Sequence, residues 1–417
     1  MLGHAAGRPA DGVLRGIATW DGERDLGPVD IAWQDGHITE VTESDRPVAS
    51  GSVTDGLTVI PGLVDTHVHL TGYAGRLDLP GAPDTFTWPL VTTREEQVLH
   101  ATANAQRALR AGITTLRDLA ADTVQSALSR VFDAGILPGP RLLASGAVGM
   151  TAGHLDLFTP APVTDRPPTA DGPDACRALV RRWARDGLTG IKVYTSGGVL
   201  SQGDKPGWRN HTDAEIAATV DEAHALGMLV AAHAHSVDGI ERAVRLGVDS
   251  IEHATELTAD QAETVAARGI PIAPTLLINE LIAAGRPGAS EQSRRKAADM
   301  VAARDSGFAA AAAAGVRFVL GTDASGYFVA HDGAWAEMRR MAAVFDWDAQ
   351  RVLRAATSDA ADAVGLGAVT GRLTPGRSAD LVVLRGRPHL DVGAWDVDRV
   401  AAVVCRGRLV TGTLPAR

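Results

Sequence analysis

The stretch Pro61-Gly62-Leu63-Val64-Asp65-Thr66-His67-Val68-His69-Leu70 decides how this chain is read. It sets two imidazoles two residues apart at the end of an apolar strand, where side chains alternate, so both rings leave on one face. A His-x-His pair on one face suits a single divalent metal, because neutral imidazole nitrogen binds zinc and its first-row neighbours. A packed or surface histidine pair has the same spacing, so the rest of the chain has to supply further ligands.

The chain has 417 residues, 45% hydrophobic and 22% charged, enough to bury a large core and to hold a barrel-sized domain beside a small one. Its net charge of −10, from 40 basic and 50 acidic residues, comes without any long basic run. That argues against nucleic-acid or membrane-surface partners and for a small-molecule or peptide substrate. Met1 to Arg15 lacks the apolar core of a signal peptide, and nowhere do about 18 apolar residues run together, so a cytoplasmic protein is expected. Cys176 and Cys405 stand far apart and outside any cysteine cluster, which predicts free thiols. The oligomeric state, a homo-oligomer included, stays open.

Short alternating segments between Leu14 and Thr42, such as Ile31-Ala32-Trp33 and His37-Ile38-Thr39, are broken at Asp21-Gly22 and Asp35-Gly36. Asp-Gly between such segments signals a hairpin. The other end repeats the grammar, with strand-like runs at Ala379 to Leu384 and Val400 to Cys405 followed by turns at Gly386 and Gly407. Residues 1–57 and 367–417 therefore read as one small β-sandwich formed by both termini. Residues 58–366 alternate strand-like runs with helical stretches, the pattern of a (β/α)8 TIM barrel of the α/β class.

Eight strands are expected, ending near His69, Leu119, Ser145, Thr195, His235, His253, Leu276 and Ser325. Helical periodicity runs through Arg94 to Arg110 and Asp213 to Leu226, and the alanine-rich Phe308 to Ala314 reads as helix. Thr93 with Glu96 and Thr212 with Glu215 form capping boxes, and Gly112 and Gly227 follow the helix ends.

In such a barrel, residues scattered in sequence converge at the C-terminal ends of the strands. Lys192 sits inside the apolar strand Gly190-Ile191-Lys192-Val193-Tyr194, where an ammonium is costly to bury. His233, His253 and Asp323 each end a strand-like run. A single strand-end histidine is ordinary; six ligand-type residues at the ends of strands one, four, five, six and eight form a pattern.

In these segments the chain resembles the amidohydrolase superfamily, in the binuclear-metal subtype with a carbamylated lysine. The nearest branch is the imidazolonepropionase-like and Xaa-Pro dipeptidase-like one. The resemblance is carried by Pro61 to Leu70, Gly112 to Asp118, Gly190 to Val199, His233-Ala234-His235, Ser250 to His253, Gly321 to Asp323 and Gly376 to Leu381. It implies that His67, His69 and Asp323 hold one divalent ion, that His233 and His253 hold a second, and that a carbamate on Lys192 bridges both together with a hydroxide. Zinc is the first expectation, with manganese, cobalt or iron accepted by the same ligands. Asp323 would then move the proton from the attacking oxygen to the leaving nitrogen.

On the substrate side, His154 follows the third strand, where the resembling branch has a substrate-contacting histidine, and is assigned to carbonyl or oxyanion polarisation. A loop histidine tied to nearby backbone is the plainer alternative. His235 stands where some relatives carry tyrosine and either faces the cavity or steadies a ligand. Tyr194 faces the cavity or packs in the core, and His331 is assigned to the mouth after strand eight, although Asp332 intervenes where relatives have glycine. His4, His37, His100, His224 and His389 are expected to be structural or exposed, and His211 a turn residue.

The expected activity is hydrolysis of an amide-type bond in a dipeptide or N-acyl amino acid. Ring opening of a cyclic amide, and an inactive barrel kept for assembly, are the alternatives. Loops Thr71 to Leu90, Leu200 to Asn210 and Ile278 to Ser290 are expected to set specificity.

Overall fold

The apolar run before the histidine pair is split at Gly62. Leu57–Pro61 (β4) belongs to a sheet built from both ends of the chain, and Leu63–Val68 (β5) opens a separate parallel barrel. Gly62 donates its N–H to the Asp380 carbonyl (2.9 Å) and Leu63 donates to the Gly112 carbonyl (2.9 Å), so the crossing between sheets falls on one residue. A Cβ at position 62 would lie 2.1 Å from Thr114 Oγ1, so the crossing takes glycine. The computed structural model describes residues 11–45, 54–75, 82–83 and 87–414; His4 and part of the loop Thr71 to Leu90 lie outside the described residues.

The terminal sheet contains β1 (Gly12–Trp20), β2 (Asp25–Gln34), β3 (His37–Glu43) and β4 from the front of the chain. The rear contributes β12 (Leu381–Arg385), β13 (Val400–Cys405) and β14 (Arg408–Gly412). Their order is β14-β13-β12-β4-β1-β2-β3, antiparallel throughout except for β1 beside β4. The sheet folds over on itself: Trp33 Nε1 of β2 donates to the Gly407 carbonyl (3.0 Å), and Ile38 of β3 pairs with the backbone at Gly376 and Arg377. Inside the fold Leu14, Ile17, Ile31, Val59, Leu381 and Val383 form a separate apolar core, as the alternating patterns predict.

The barrel runs β5, β6 (Ile113–Ala121), β7 (Arg141–Val148), β8 (Gly190–Tyr194), β9 (Leu229–Ala234), β10 (Ser250–His253) and β11 (Ile272–Ala273), each parallel to the next. Helices cover the outside, so β5 is buried on both faces, as parallel sheets require. The helices Arg94–Arg110 and Asp213–Ala225 lie where periodicity sets them. Thr212 and Glu215 cap each other reciprocally, whereas Thr93 caps in one direction, accepting from the Glu96 N–H. The alanine-rich segment lies in the helix Glu291–Ala313.

The eighth strand differs from expectation. Residues 318–324 form no regular strand but bond to both open edges: Val319 N–H to the Ile272 carbonyl (2.9 Å), Thr66 N–H to the Leu320 carbonyl (3.0 Å) and His69 N–H to the Ala324 carbonyl (2.8 Å). The barrel thus closes through an irregular segment. Leu276, expected to end the seventh strand, instead begins the helix Leu276–Ala283. Thr275 turns the chain there with φ 46°, and the buried Glu337 carboxylate accepts the N–H groups of Leu276 (2.6 Å) and Leu277 (2.9 Å), an N-terminal cap supplied from another helix. The expected loop Ile278 to Ser290 accordingly starts as helix.

One buried ion pair joins the sheet to the barrel. Asp380 accepts from Arg141 Nη1 (3.0 Å), Thr370 Oγ1 (2.8 Å) and the Arg406 N–H (2.8 Å). Burial pushes the Asp380 carboxyl up, but Arg141 and these bonds hold it below the ordinary carboxylate range. Replacing Asp380 with Ala strands the Arg141 guanidinium, and a loss of about 3 kcal/mol in urea unfolding is expected.

Candidate active site

The six residues expected as ligands come together at one end of the barrel. His67 lies on β5 and His69 one residue beyond it, with ring centroids 5.3 Å apart. Lys192 is on β8, His233 on β9, His253 ends β10, and Asp323 lies in the closing segment. The donor atoms of His67, His253 and Asp323 lie within 4.8 Å of one another, and so do those of His233, His235 and His253. His69 Nε2 adjoins Asp323 Oδ1 at 3.1 Å. Two of these residues have strained backbones, His253 at φ 71° and Asp323 at φ 54°, a conformation that persists only where surrounding contacts impose it.

His67 reveals what the site accepts. Its Nδ1 donates to Glu252 Oε2 (2.8 Å), and burial drives the ring's pKa down to about 4, so Nε2 carries a lone pair. That lone pair points at Asp323 Oδ1, 3.5 Å away, and burial, which alone would raise the Asp323 carboxyl, is outweighed by His67, His69 and Lys192. Two acceptors facing each other in a buried cavity repel, and a cation between them satisfies both. The donor set therefore fits a divalent metal.

Glu252 is itself fixed by Arg117 Nη2 (2.8 Å) and Ser250 Oγ (2.8 Å) on its other oxygen. Burial pushes its carboxyl up, yet Arg117 and His67 bring it down to about 2. His233 donates from Nε2 to the Gly197 carbonyl (3.1 Å), leaving Nδ1 bare. His253 Nδ1 bonds Thr275 Oγ1 (2.7 Å) and His235 Nδ1 bonds Thr255 Oγ1 (2.8 Å). Burial holds His233 and His253 well below the ordinary histidine value and brings His235 to about 3.

Lys192 is 2% exposed, and among the described residues its amine has no hydrogen bond or ion pair. Desolvation brings it down to about 8, which raises the free-amine fraction at neutral pH by about two orders of magnitude. A free amine is the form that reacts with carbon dioxide.

The residues expected to meet substrate divide. His154 stacks on His233 (centroids 4.4 Å, 19°), Tyr194 lies 5.8 Å from both rings, and His235 stacks on His253 (4.6 Å, 15°). Burial pushes the Tyr194 hydroxyl up and keeps it protonated at neutral pH. His331 is buried and donates from Nε2 to the His69 carbonyl (3.1 Å), so it braces the backbone at His69. The other histidines bond elsewhere: His37 with Asp35, His100 with Ala74, His224 with Asp249, His389 with Asp25, and His211 with the Tyr194 carbonyl in the turn before its helix. Cys176 and Cys405 are free and buried.

A family model described as the amidohydrolase family matches residues 58–410. The chain belongs to the amidohydrolase family. As a member it is a hydrolase acting on carbon–nitrogen bonds. It is 29% identical over 370 residues to the ochratoxinase of Aspergillus niger, covering 84% of this chain and 74% of that protein. Among solved structures it resembles a Xaa-Pro dipeptidase with methionine bound in its active site, with a TM-score of 0.83, 28% identity, and coverage of 96% and 99% of the two chains. A prolidase complexed with N-methylphosphonate-L-proline superimposes with a TM-score of 0.84 and 30% identity over 97% and 100% of the chains. Among the described residues no helix is long and apolar enough to cross a membrane.

Arg117, Glu252, Ser201 and Asp204 have no role in the sequence reading. For the first two the signal was present: Arg117 lies inside the apolar strand Ile113–Ala121 and Glu252 inside Ser250–His253, the same anomaly that singles out Lys192.

Two measurements probe this amidohydrolase site. Glu252→Gln removes the acceptor that fixes His67, and metal affinity measured by competition with a chelating dye is expected to fall 10- to 100-fold. His67, His235 and His331 fold with pKa values of about 4, 3 and 4, below the free value near 6.5. The unfolded chain therefore binds protons first, and stability is full above about 6.5 and lost as pH falls towards 4. Calorimetry of chelator-treated protein should show Tm dropping between pH 7 and pH 5; a flat profile would mean these rings are not buried neutral.

Proposed function

We propose that this chain is a metal-dependent amidohydrolase that cleaves an amide bond in a dipeptide or N-acyl amino acid. The single observation that carries the reading is the bare Nε2 of His67 facing the Asp323 carboxylate inside a cluster of neutral imidazoles. His67, His69 and Asp323 would hold one divalent ion and His233 and His253 a second, with Lys192 contributing to both as its carbamate. Zinc is the ion this nitrogen-rich set favours. Such ions, when bound, polarise a scissile carbonyl and lower the pKa of a water towards neutrality.

The protein's own groups do the rest. Asp323, ionised and held by His69 at 3.1 Å, takes a proton from the attacking water and gives it to the departing nitrogen. Burial of Tyr194, His154 and His235 keeps bulk water away from the substrate, which strengthens each polar contact made there. The dipeptide reading is supported by the prolidase and Xaa-Pro dipeptidase likenesses, the first of which carries a proline-derived phosphonate.

Metal-analysed protein should hydrolyse members of a panel of Xaa-Pro and other dipeptides, N-acyl amino acids and ochratoxin. Lys192→Ala should abolish the activity, Asp323→Asn should lower kcat by about 10² to 10⁴, and chelation should be reversed by zinc. Metal-loaded wild type that cleaves none of the panel but opens cyclic amides would overturn the substrate assignment. Protein that binds almost no metal would overturn the metal-dependent reading altogether.

A further inference from the structure

Two helices, Leu276–Ala283 and Glu291–Ala313, stand between β11 and the segment 318–324 that closes the barrel. The second runs back to the start of the closing segment, so its first turns lie at the C-terminal face, on the side of the site. From there Lys296 reaches the loop after β8, three strands away around the barrel. It donates from Nζ to the carbonyls of Gly198 and Ser201, both at 2.9 Å. The loop it grips borders the site. The Gly197 carbonyl accepts from His233 Nε2 (3.1 Å), and Ser201 Oγ and Asp204 Oδ2 lie 2.8 Å and 3.4 Å from His154 Nδ1. A Cβ at Gly198 would lie 2.0 Å from His154 Cε1. The bridge from Lys296 is therefore made over the mouth of the barrel.

Lys296 is 9% exposed. An ammonium carries three N–H groups, and the two carbonyls are its only hydrogen-bond partners among the described residues. Burial lowers the amine from its ordinary value, and Asp204 opposes this from beyond ion-pair distance. The Asp204 oxygens are themselves taken up by the N–H groups of Gly198 (2.9 Å) and Lys205 (2.7 Å) and by Ser201 Oγ (2.8 Å). A buried cation with an N–H to spare and no anion in contact is costly until an anion comes to it.

The other helix supplies a second unmet group. Asn279 is 4% exposed, and among the described residues its side-chain amide makes no hydrogen bond. It stands one helical turn beyond Thr275, whose hydroxyl lies 2.7 Å from His253 Nδ1, so it is carried beside the imidazole cluster. Its amide nitrogen offers two donors. Ammonium and amide together complement an anion with two oxygens, and in a chain of net charge −10 an anionic substrate needs such a local attraction.

We propose that Lys296 and Asn279 are specificity-determining residues that anchor a free carboxylate on the amino acid released as the amine. The proposal rests on the dipeptide and N-acyl amino acid reading, whose members all carry a carboxylate on the carbon that bears the departing nitrogen. It narrows that reading: only the last amide bond before a free carboxylate is cut, and the same compounds capped as amides or esters are poor substrates.

N-Phosphonyl amino acids, unreactive analogues of the bond to be cut, test the anchor without turnover. Each is titrated calorimetrically into zinc-loaded full-length protein as the free acid and as the primary amide. The wild type should prefer the acid by about 10- to 100-fold, and equal affinity for acid and amide would overturn the proposal. Lys296→Met should bring the ratio of acid to amide affinity close to one, and Lys296→Arg, which restores the charge, should recover most of it. A lysine that only staples two segments together would weaken acid and amide alike and leave the ratio intact. Asn279→Leu should lower the ratio several-fold, and where Lys296→Met does not fold this variant decides, a full wild-type ratio overturning the anchor. On any dipeptide the enzyme cleaves, Lys296→Met should raise KM more than it lowers kcat. An enzyme that cleaves the panel without preferring acids loses the anchor alone. One that holds acids through Lys296 yet cleaves no member of the panel loses the proposed reaction alone.

Discussion

A cluster of imidazoles buried among carboxylates is stable only if each ring is told which nitrogen keeps its proton. In this chain every ring at the barrel mouth that could bind a metal from the strands β9 and β10, and His67 from β5, has one nitrogen tied to a protein oxygen. Glu252 and the Gly197 carbonyl, which only accept, fix the proton on His67 and His233, while Thr255 and Thr275 hold the rings of His235 and His253 in place. The remaining nitrogens of His67 and His233 are left as lone pairs, which is unfavourable for a protein alone and favourable for one that binds cations. The state in which His67 and His233 face the cavity is thus set by their supports as much as by the rings themselves.

Those supports hang on backbone that is not regular. His253, Thr275 and Asp323 all take left-handed conformations, and the segment 318–324 closes the barrel by scattered bonds. A regular eighth strand would carry the carboxylate of Asp323 to one face by simple alternation. The irregular segment instead lets Asp323 bond its N–H to the His67 carbonyl (2.8 Å) while its side chain reaches both His67 and His69. Local strain here buys aim.

The sequence disclosed the architecture where physics leaves a periodic trace. Asp-Gly hairpins, strand-like runs at both ends and capped helices marked the terminal sheet and the barrel, and strand-end histidines marked the cluster at its mouth. It was silent where function depends on direction. Nothing in the run before Leu276 announces that Thr275 turns the chain and that Glu337, some sixty positions on, caps the new helix. Likewise Ser201 and Asp204 sit in a loop whose composition is ordinary; their meaning comes from the distance to His154 alone. Arg117 and Glu252 were legible by the rule applied to Lys192, since each sets a charge inside a buried strand.

The crossing at Gly62 bears on how the chain is made. β4 lies between β1 and β12, and the bond from Thr58 Oγ1 to the Gly386 carbonyl spans 328 residues. The amino-terminal strands emerge from the ribosome first, yet their sheet cannot be completed until the last strands arrive. The barrel, whose neighbours follow one another in sequence, can assemble during that interval. Vectorial synthesis therefore leaves one edge of β4 unpaired while the intervening barrel is made, the point at which a chaperone or a wrongly paired strand would meet this protein.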